Sequence, residues 1–339
     1  MQISCRTEAY TSQGEPLQRI TLLSDNGSFI ELTNYGARWI SAWVPDDKGH
    51  LSNVLLGYSH ISDYLDDSFY LGATIGRFAN RIAHAQFEID GVTYHIDRND
   101  GANCNHGGLC GLHQKVWQTK LLPDGVAFYT TSNDGEGGWP GNVEFRVEYH
   151  WSDDMQLSVC HRATTDQKTW INLTNHAYFN LTGDSNTRID YHQLHIPSDT
   201  ILETTADFVP TGKRVPVQDS PFDFQSMRPI GQFLQTDNEQ LRWNRGYNHC
   251  YLLSDNGESK LKHAATVYEP STTRTLKVYT DLPSVLFYSA GYLPNPTTGL
   301  CLEAQYYPDT PHHPHFPQGC LLSPGQEYLH HIVYCFSCN

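Results

Sequence analysis

The chain has no long apolar run, no block of basic residues and no internal repeat, and each absence removes a class of function. No stretch approaches the roughly 20 consecutive apolar residues that span a bilayer. The opening Met1-Gln2-Ile3-Ser4-Cys5-Arg6-Thr7 lacks the apolar core of a signal peptide, so a soluble cytoplasmic protein with no membrane partner is expected. Lys and Arg number 22 against 37 Asp and Glu, a net charge of −15 over 339 residues. Such a surface argues against nucleic acid or anionic lipid as the main partner and leaves a small neutral or cationic ligand. The nine cysteines are odd in number and scattered, which predicts reduced thiols. Cys335-Phe336-Ser337-Cys338 supplies only half a tetrahedral site. His312, His313 and His315 lie among Pro311, Pro314 and Pro317 in a loop that shows no clear fourth ligand. Neither metal nor cofactor is expected. The sequons at Asn26, Asn172 and Asn180 carry no meaning in a protein that is not secreted.

A sustained 3.6-residue period is also missing, which excludes a helical layer; His60 to Leu65 and the region near Phe233 could each form a short helix. What recurs is two-residue alternation. Phe87, Ile89, Val92, Tyr94 and Ile96 alternate around Asp90-Gly91, a pair that tolerates the positive φ of a type I′ turn and so predicts a hairpin. Residues 145–151 and 156–161 read as a second hairpin around Ser152-Asp153-Asp154, and strands are expected at 266–268, 275–279, 285–288 and 331–336. So many strands must bury their faces on one another, which predicts an all-β architecture of two large antiparallel sheets packed face to face. Length alone permits two domains, but no linker or low-complexity tract divides the chain, and a single domain over 1–339 is preferred.

Three segments carry chemistry. The first, Asn172-Leu173-Thr174-Asn175-His176-Ala177-Tyr178-Phe179-Asn180-Leu181, surrounds one histidine with amides and aromatics. Imidazole exchanges protons near neutrality, amides bond hydroxyls, and aromatic faces cover the C–H side of a pyranose. Taken alone, a histidine in such a run is more often a satisfied structural residue. The second, Gly72-Ala73-Thr74-Ile75-Gly76-Arg77-Phe78-Ala79-Asn80-Arg81-Ile82 with Asn105-His106-Gly107-Gly108, adds arginine, a second histidine and glycines that let backbone approach a ligand. In the third, Leu302-Glu303-Ala304-Gln305-Tyr306-Tyr307-Pro308-Asp309, a carboxylate sits between apolar residues at the end of an expected strand, where a scaffold presents a catalytic base.

Together with Asn34-Tyr35-Gly36-Ala37, Gly138-Trp139-Pro140-Gly141-Asn142, Pro210-Thr211-Gly212, Pro221-Phe222-Asp223-Phe224, Gly246-Tyr247-Asn248-His249 and Leu322-Ser323-Pro324-Gly325-Gln326-Glu327-Tyr328, these segments resemble those of the aldose 1-epimerases, or galactose mutarotases, over nearly the whole chain. The resemblance implies a large antiparallel β-sandwich, the galactose mutarotase-like supersandwich, with an aldose bound in a cleft on one curved sheet. It implies interconversion of α and β anomers without a cofactor, Glu303 as base on the anomeric hydroxyl, and His176 as acid toward the ring oxygen. Arg77, Asn80, His106, Asn248 and Gln305 are then the expected substrate-binding residues. Asn248 stands where the family commonly has aspartate, Leu286 where glutamine is common and Gly291 where asparagine is common. These departures bear on sugar preference more than on reaction type. Alternatives are a hexose 6-phosphate 1-epimerase, for which only Arg77 and Arg81 offer charge, a non-catalytic sugar-binding protein, and a glycoside hydrolase pairing Glu303 with Asp309. The sequence carries no signature that decides whether two copies associate.

Overall fold

The computed structural model describes residues 1–254 and 261–338. The expected all-β sandwich forms, and every ladder between its strands is antiparallel. It is built from three principal sheets instead of two: one of nine strands and two of five, with two-stranded ribbons between them. The N-terminal five-stranded sheet follows chain order from Gln2–Tyr10 to Leu51–Asn53. In the nine-stranded sheet, the late strand Tyr328–Cys338 inserts between Gln156–Thr165 and Arg274–Thr280. The third sheet runs in spatial order Pro210–Pro216, Thr200–Thr204, Asn248–Leu252, Ser284–Tyr288 and Cys301–Gln305.

Alternation dictates which faces meet. In Val143–Trp151 the residues Val143, Phe145, Val147, Tyr149 and Trp151 are buried while their neighbours are not, so one face packs inward. Buried residues of all three sheets join a single apolar cluster. Its aromatic centre links different parts of the chain: Trp39 lies 5.6 Å from Phe179 and 5.2 Å from Tyr334, ring to ring. Phe179 thereby fixes the His176 segment to the core.

Both expected hairpins are present. Ile89 pairs with Val92 across Asp90 and Gly91, whose φ values are 52° and 82°, the positive pair of a type I′ turn. Helix is confined to short pieces such as Ile61–Asp66, Ile230–Phe233 and Glu239–Asn244; the last is capped by Asn238, whose side-chain oxygen accepts from the Gln240 and Leu241 amides. Cys335 and Cys338 lie three apart in one strand and so face opposite sides, which rules out a paired thiol site. No helix among the described residues is long and apolar enough to cross a membrane.

Candidate active site

The Cys301–Gln305 strand ends its sheet, with Ser284–Tyr288 on one edge. Residues 172–179 run along its other edge. Asn172 receives the Tyr306 amide at 2.8 Å and donates to the Tyr306 carbonyl at 3.2 Å, while Phe179 and Leu300 exchange backbone hydrogen bonds at 2.7 and 2.9 Å. Glu303 is therefore flanked by His176 on one side and by its cross-strand partner Leu286 on the other. The amides that the sequence suggested for sugar hydroxyls bond backbone instead. Asn175 donates to the Gly72 carbonyl at 2.9 Å, and Asn180 donates to the carbonyls of Asp184, Thr187 and Thr298. The glycines likewise admit backbone, not ligand: a Cβ at Gly107, where φ is +88°, would stand 2.0 Å from the Gly76 carbonyl oxygen.

Above this floor opens a cleft of about 310 Å³, walled by Phe69, Tyr70, Tyr178, Phe208, Tyr288 and Tyr292. Tyr178 stacks on His176 with centroids 5.0 Å apart, and Tyr70 packs against His106 at 4.6 Å. The rim that carries Tyr70 is tied from beneath. Arg38 donates to Asp67 at 2.6 Å in a buried pair, and Asp67 accepts the Phe69 and Leu71 amides at 3.0 and 2.9 Å.

His176 Nε2 lies 3.6 Å from Glu303 Oε1, close but beyond hydrogen-bond reach, and the groups are only 5% and 1% exposed. Neither carboxyl oxygen of Glu303 has a hydrogen-bond partner among the described residues. Burial without donors penalises the anion, which pushes the Glu303 pKa up to about 8 against a smaller opposing pull from Arg81. Burial equally penalises the cation and takes His176 down to about 4. The Cys301 thiol, kept protonated by its own burial, sits 3.6 Å from His176 Nδ1 and can donate to it, leaving the imidazole proton on Nε2 toward Glu303. His106 Nδ1 accepts the Asn80 amide at 3.2 Å, so its proton is on Nε2. Burial, then His176, Arg81 and His113, hold His106 neutral, well below the usual histidine range.

Of the residues expected from sequence, His176, Glu303, Asn80, His106 and Asn248 line this cleft together. Arg77 and Gln305 do not. Arg77 is buried outside the cleft lining, and its guanidinium is turned to the Ser132 hydroxyl and to the carbonyls of Ser132, Asn133, Pro140 and Gly141. Gln305 shares a strand face with Glu303 but is fully buried beyond the cleft, without a side-chain partner among the described residues. The arginine that lines the cleft is Arg81, held by Asp100 at 2.7 Å and stacked over Phe208 at 4.8 Å. Its place in the same short motif was the available signal. Tyr70, Phe208 and Tyr292 had none, because they come from separate loops.

Asp309 is outside the cleft lining and ties its loop to another segment, accepting from the Ala83 amide at 2.9 Å and pairing with His312 at 2.6 Å. That removes the carboxylate which sequence allowed as a partner for glycosidic cleavage. His315 bonds the Gly212 carbonyl at 3.1 Å, so the histidine loop closes on itself and its neighbours. Leu286 lines the cleft, whereas a Cβ at Gly291 would stand 2.2 Å from the Arg245 carbonyl oxygen; glycine there answers to packing. The ligand atoms of His176, Cys301 and Glu303 lie within 4.8 Å of one another, the one group of three such residues among the described residues with metal-ligand spacing.

A carboxyl and an imidazole buried side by side, unbonded, under aromatic walls define an acid–base enzyme acting on a small polyhydroxylated ligand. The aldose 1-epimerase family pattern matches residues 18–335, and the chain belongs to that family. It is 37% identical to the aldose 1-epimerase of Escherichia coli K12 over 342 aligned residues, covering 97% of this chain and 98% of that one. It is also 37% identical to human galactose mutarotase, covering 96% of each. Among solved structures, an aldose epimerase homologue from C. elegans superposes with a TM-score of 0.88 at 28% identity, covering 95% of this chain and 99% of that one. A galactose 1-epimerase from Lactobacillus acidophilus gives 0.88 at 25% identity, covering 99% of each.

Proposed function

We propose that this chain is an aldose 1-epimerase that interconverts α and β anomers of hexoses such as glucose and galactose by opening and reclosing the ring. The observation that carries the reading is the His176–Glu303 couple, 3.6 Å apart at the floor of the cleft. Glu303 takes the proton of the anomeric hydroxyl and His176 delivers one to the ring oxygen. The C1–O5 bond breaks, the aldehyde turns about C1–C2, and the reverse transfers close the ring on either face. His106, a neutral donor, and Arg81 hydrogen-bond hydroxyls and hold the ring through the rotation, with Asn80 and Asn248 beside them.

Burial favours the neutral pair, so the carboxylate and imidazolium that begin ring opening are first formed at a desolvation cost, which the opening step returns. Between pH about 4 and about 8 the couple holds one proton in total. Sugar requires carboxylate and imidazolium, and ring opening converts them to carboxylic acid and imidazole, the neutral forms that burial stabilises. Both proton transfers thus run downhill in desolvation while the ring opens.

A single domain is supported by the largest apolar cluster, whose members run from Ile20 to Phe336. A reducing, cytoplasmic setting is supported by nine cysteines that all remain free. A 6-phosphate substrate is less favoured, because Arg81, the one Lys or Arg lining the cleft among the described residues, is already paired with Asp100. The test is the rate at which freshly dissolved α-glucose and α-galactose approach equilibrium rotation. Wild type should accelerate both, and His176→Asn and Glu303→Gln should each lose most of the acceleration; near-full activity in either variant refutes the roles.

A further inference from the structure

Arg81 reaches the cleft from a two-stranded ribbon in which it pairs with Asn105, next to the Asn80 and His106 that line the same cleft. Its guanidinium is gripped at two places. Nε donates to Asp100 Oδ2 at 2.7 Å, and the flat face lies over the Phe208 ring at 4.8 Å. Neither terminal nitrogen of Arg81 hydrogen-bonds another described residue, so both remain available to a ligand in the cleft. The two grips are themselves anchored. Asp100 and Asn103 exchange backbone hydrogen bonds at 3.2 and 2.9 Å. Asn99 holds the same turn to the ribbon, accepting the Asn105 amide at 2.7 Å and donating to the Asn105 carbonyl at 2.9 Å. Phe208 sits in the turn between Thr200–Thr204 and Pro210–Pro216, where its amide donates to the Thr205 carbonyl at 3.0 Å.

We infer that Asp100 and Phe208 are positioning residues for the epimerase, acting on the sugar through Arg81 by holding its guanidinium in the binding orientation. The inference rests on the epimerase reading, in which Arg81 hydrogen-bonds sugar hydroxyls. A guanidinium carries its donors in a rigid fork, so the direction of Nε fixes the direction of both terminal nitrogens. Asp100 sets that direction from the edge, and Phe208 sets the plane from the face.

Stability does not account for the pair. Its side chains are 12% and 38% exposed, and an ion pair open to solvent on that scale adds little to the folded state. Asp100 also lines the cleft, so a direct contact with sugar is the competing role, and Phe208 shares that position. The two roles differ in what happens when Arg81 is gone: a positioning residue loses its effect, whereas a residue that touches sugar keeps it.

The test is a double-mutant cycle on anomer exchange of glucose and galactose. Asp100→Ala and Phe208→Leu should each raise KM about threefold to tenfold, the typical worth of immobilising one long side chain at a binding site, with kcat within about twofold of wild type. Asp100→Asn keeps an acceptor for Nε and should recover part of the loss. In an Arg81→Ala background the same two substitutions should change KM by less than about twofold, since no guanidinium remains to be held. An undiminished effect in that background overturns the inference, because the residue then meets the sugar itself or acts through the fold. So does an unchanged KM for Asp100→Ala alone, or for Arg81→Ala alone, and in each of these cases the epimerase reading stands. Failure of the wild-type protein to accelerate exchange of either sugar overturns both.

Discussion

Replacing Glu303 by glutamine separates catalysis from stability, because the two respond in opposite senses. The side chain is 1% exposed and its carboxyl has no donor among the described residues, so its pKa stands at about 8 against an ordinary 4.5. With the folded value raised, the residue's stabilising contribution is complete below about pH 4.5 and drains away as pH climbs to about 8. At about 1.4 kcal/mol per pKa unit, the wild-type protein forfeits on the order of 5 kcal/mol between pH 4 and pH 9 through this one group. Glutamine keeps the shape and cannot ionise. Urea unfolding of both proteins at pH 5, 7 and 9 should show near-equal stability at pH 5, within about 1 kcal/mol for the imperfectly bonded amide. Glu303→Gln should become the more stable by several kcal/mol at pH 9. The titration of His176 is common to both proteins and cancels to first order. Polarimetry on the same samples should show turnover reduced about 10²- to 10⁴-fold, the usual worth of a positioned base. A variant less stable than wild type at pH 9 refutes the electrostatic account, and one that keeps a tenth of wild-type turnover refutes the base.

The dependence of kcat/KM on pH should be bell-shaped, with limbs near 4 and near 8 that belong to the His176–Glu303 couple as a unit; a flat profile from pH 3 to 9 would contradict single-proton sharing. Arg77→Lys should lower unfolding free energy by about 2–4 kcal/mol, since several buried carbonyls lose their donors, with little change in KM. Arg81→Ala should raise KM severalfold with a smaller effect on stability, and the reverse pattern would restore Arg77 to the cleft. Turnover should be indifferent to EDTA and inhibited by added zinc, which would occupy His176, Cys301 and Glu303; competition between zinc and sugar in steady-state kinetics checks this, and non-competitive inhibition refutes it.

Local chemistry made part of this legible from sequence. The Asp90-Gly91 turn could be placed because both residues accept positive φ, and the turn alone fixes the register of Gln86–Ile89 against Val92–His95. Alternation likewise identified the strands, but it says which face is buried and not which strand lies alongside. The insertion of Tyr328–Cys338 between Gln156–Thr165 and Arg274–Thr280, and the division into three principal sheets, depend on pairings between strands far apart in the chain, as Gln156 with Cys335 and Arg274 with Cys338. The same distinction runs through the site. Glu303 and His176 were recognisable by the chemistry they perform. Arg77 and Arg81 are equivalent as residue types four positions apart, and only the carbonyls contributed by 132–141 decide which of them is structural. Gln305 obeys the strand period of Glu303, yet the cleft ends before it. The amides of Asn172, Asn175 and Asn180 looked like ligand groups because residue type does not reveal that backbone already occupies them.

The buried Arg38–Asp67 pair beneath the rim has a thermodynamic consequence. Because Asp67 holds the Phe69 and Leu71 amides, the backbone under Tyr70 has already given up its conformational freedom during folding. A sugar entering the cleft orders little that was loose, so calorimetry should find a small entropic penalty from the protein and a heat-capacity change confined to the apolar area covered. Amide exchange at these two positions should be equally slow with and without ligand. With the Tyr70 rim held in place before sugar arrives, movement of that rim should not limit turnover.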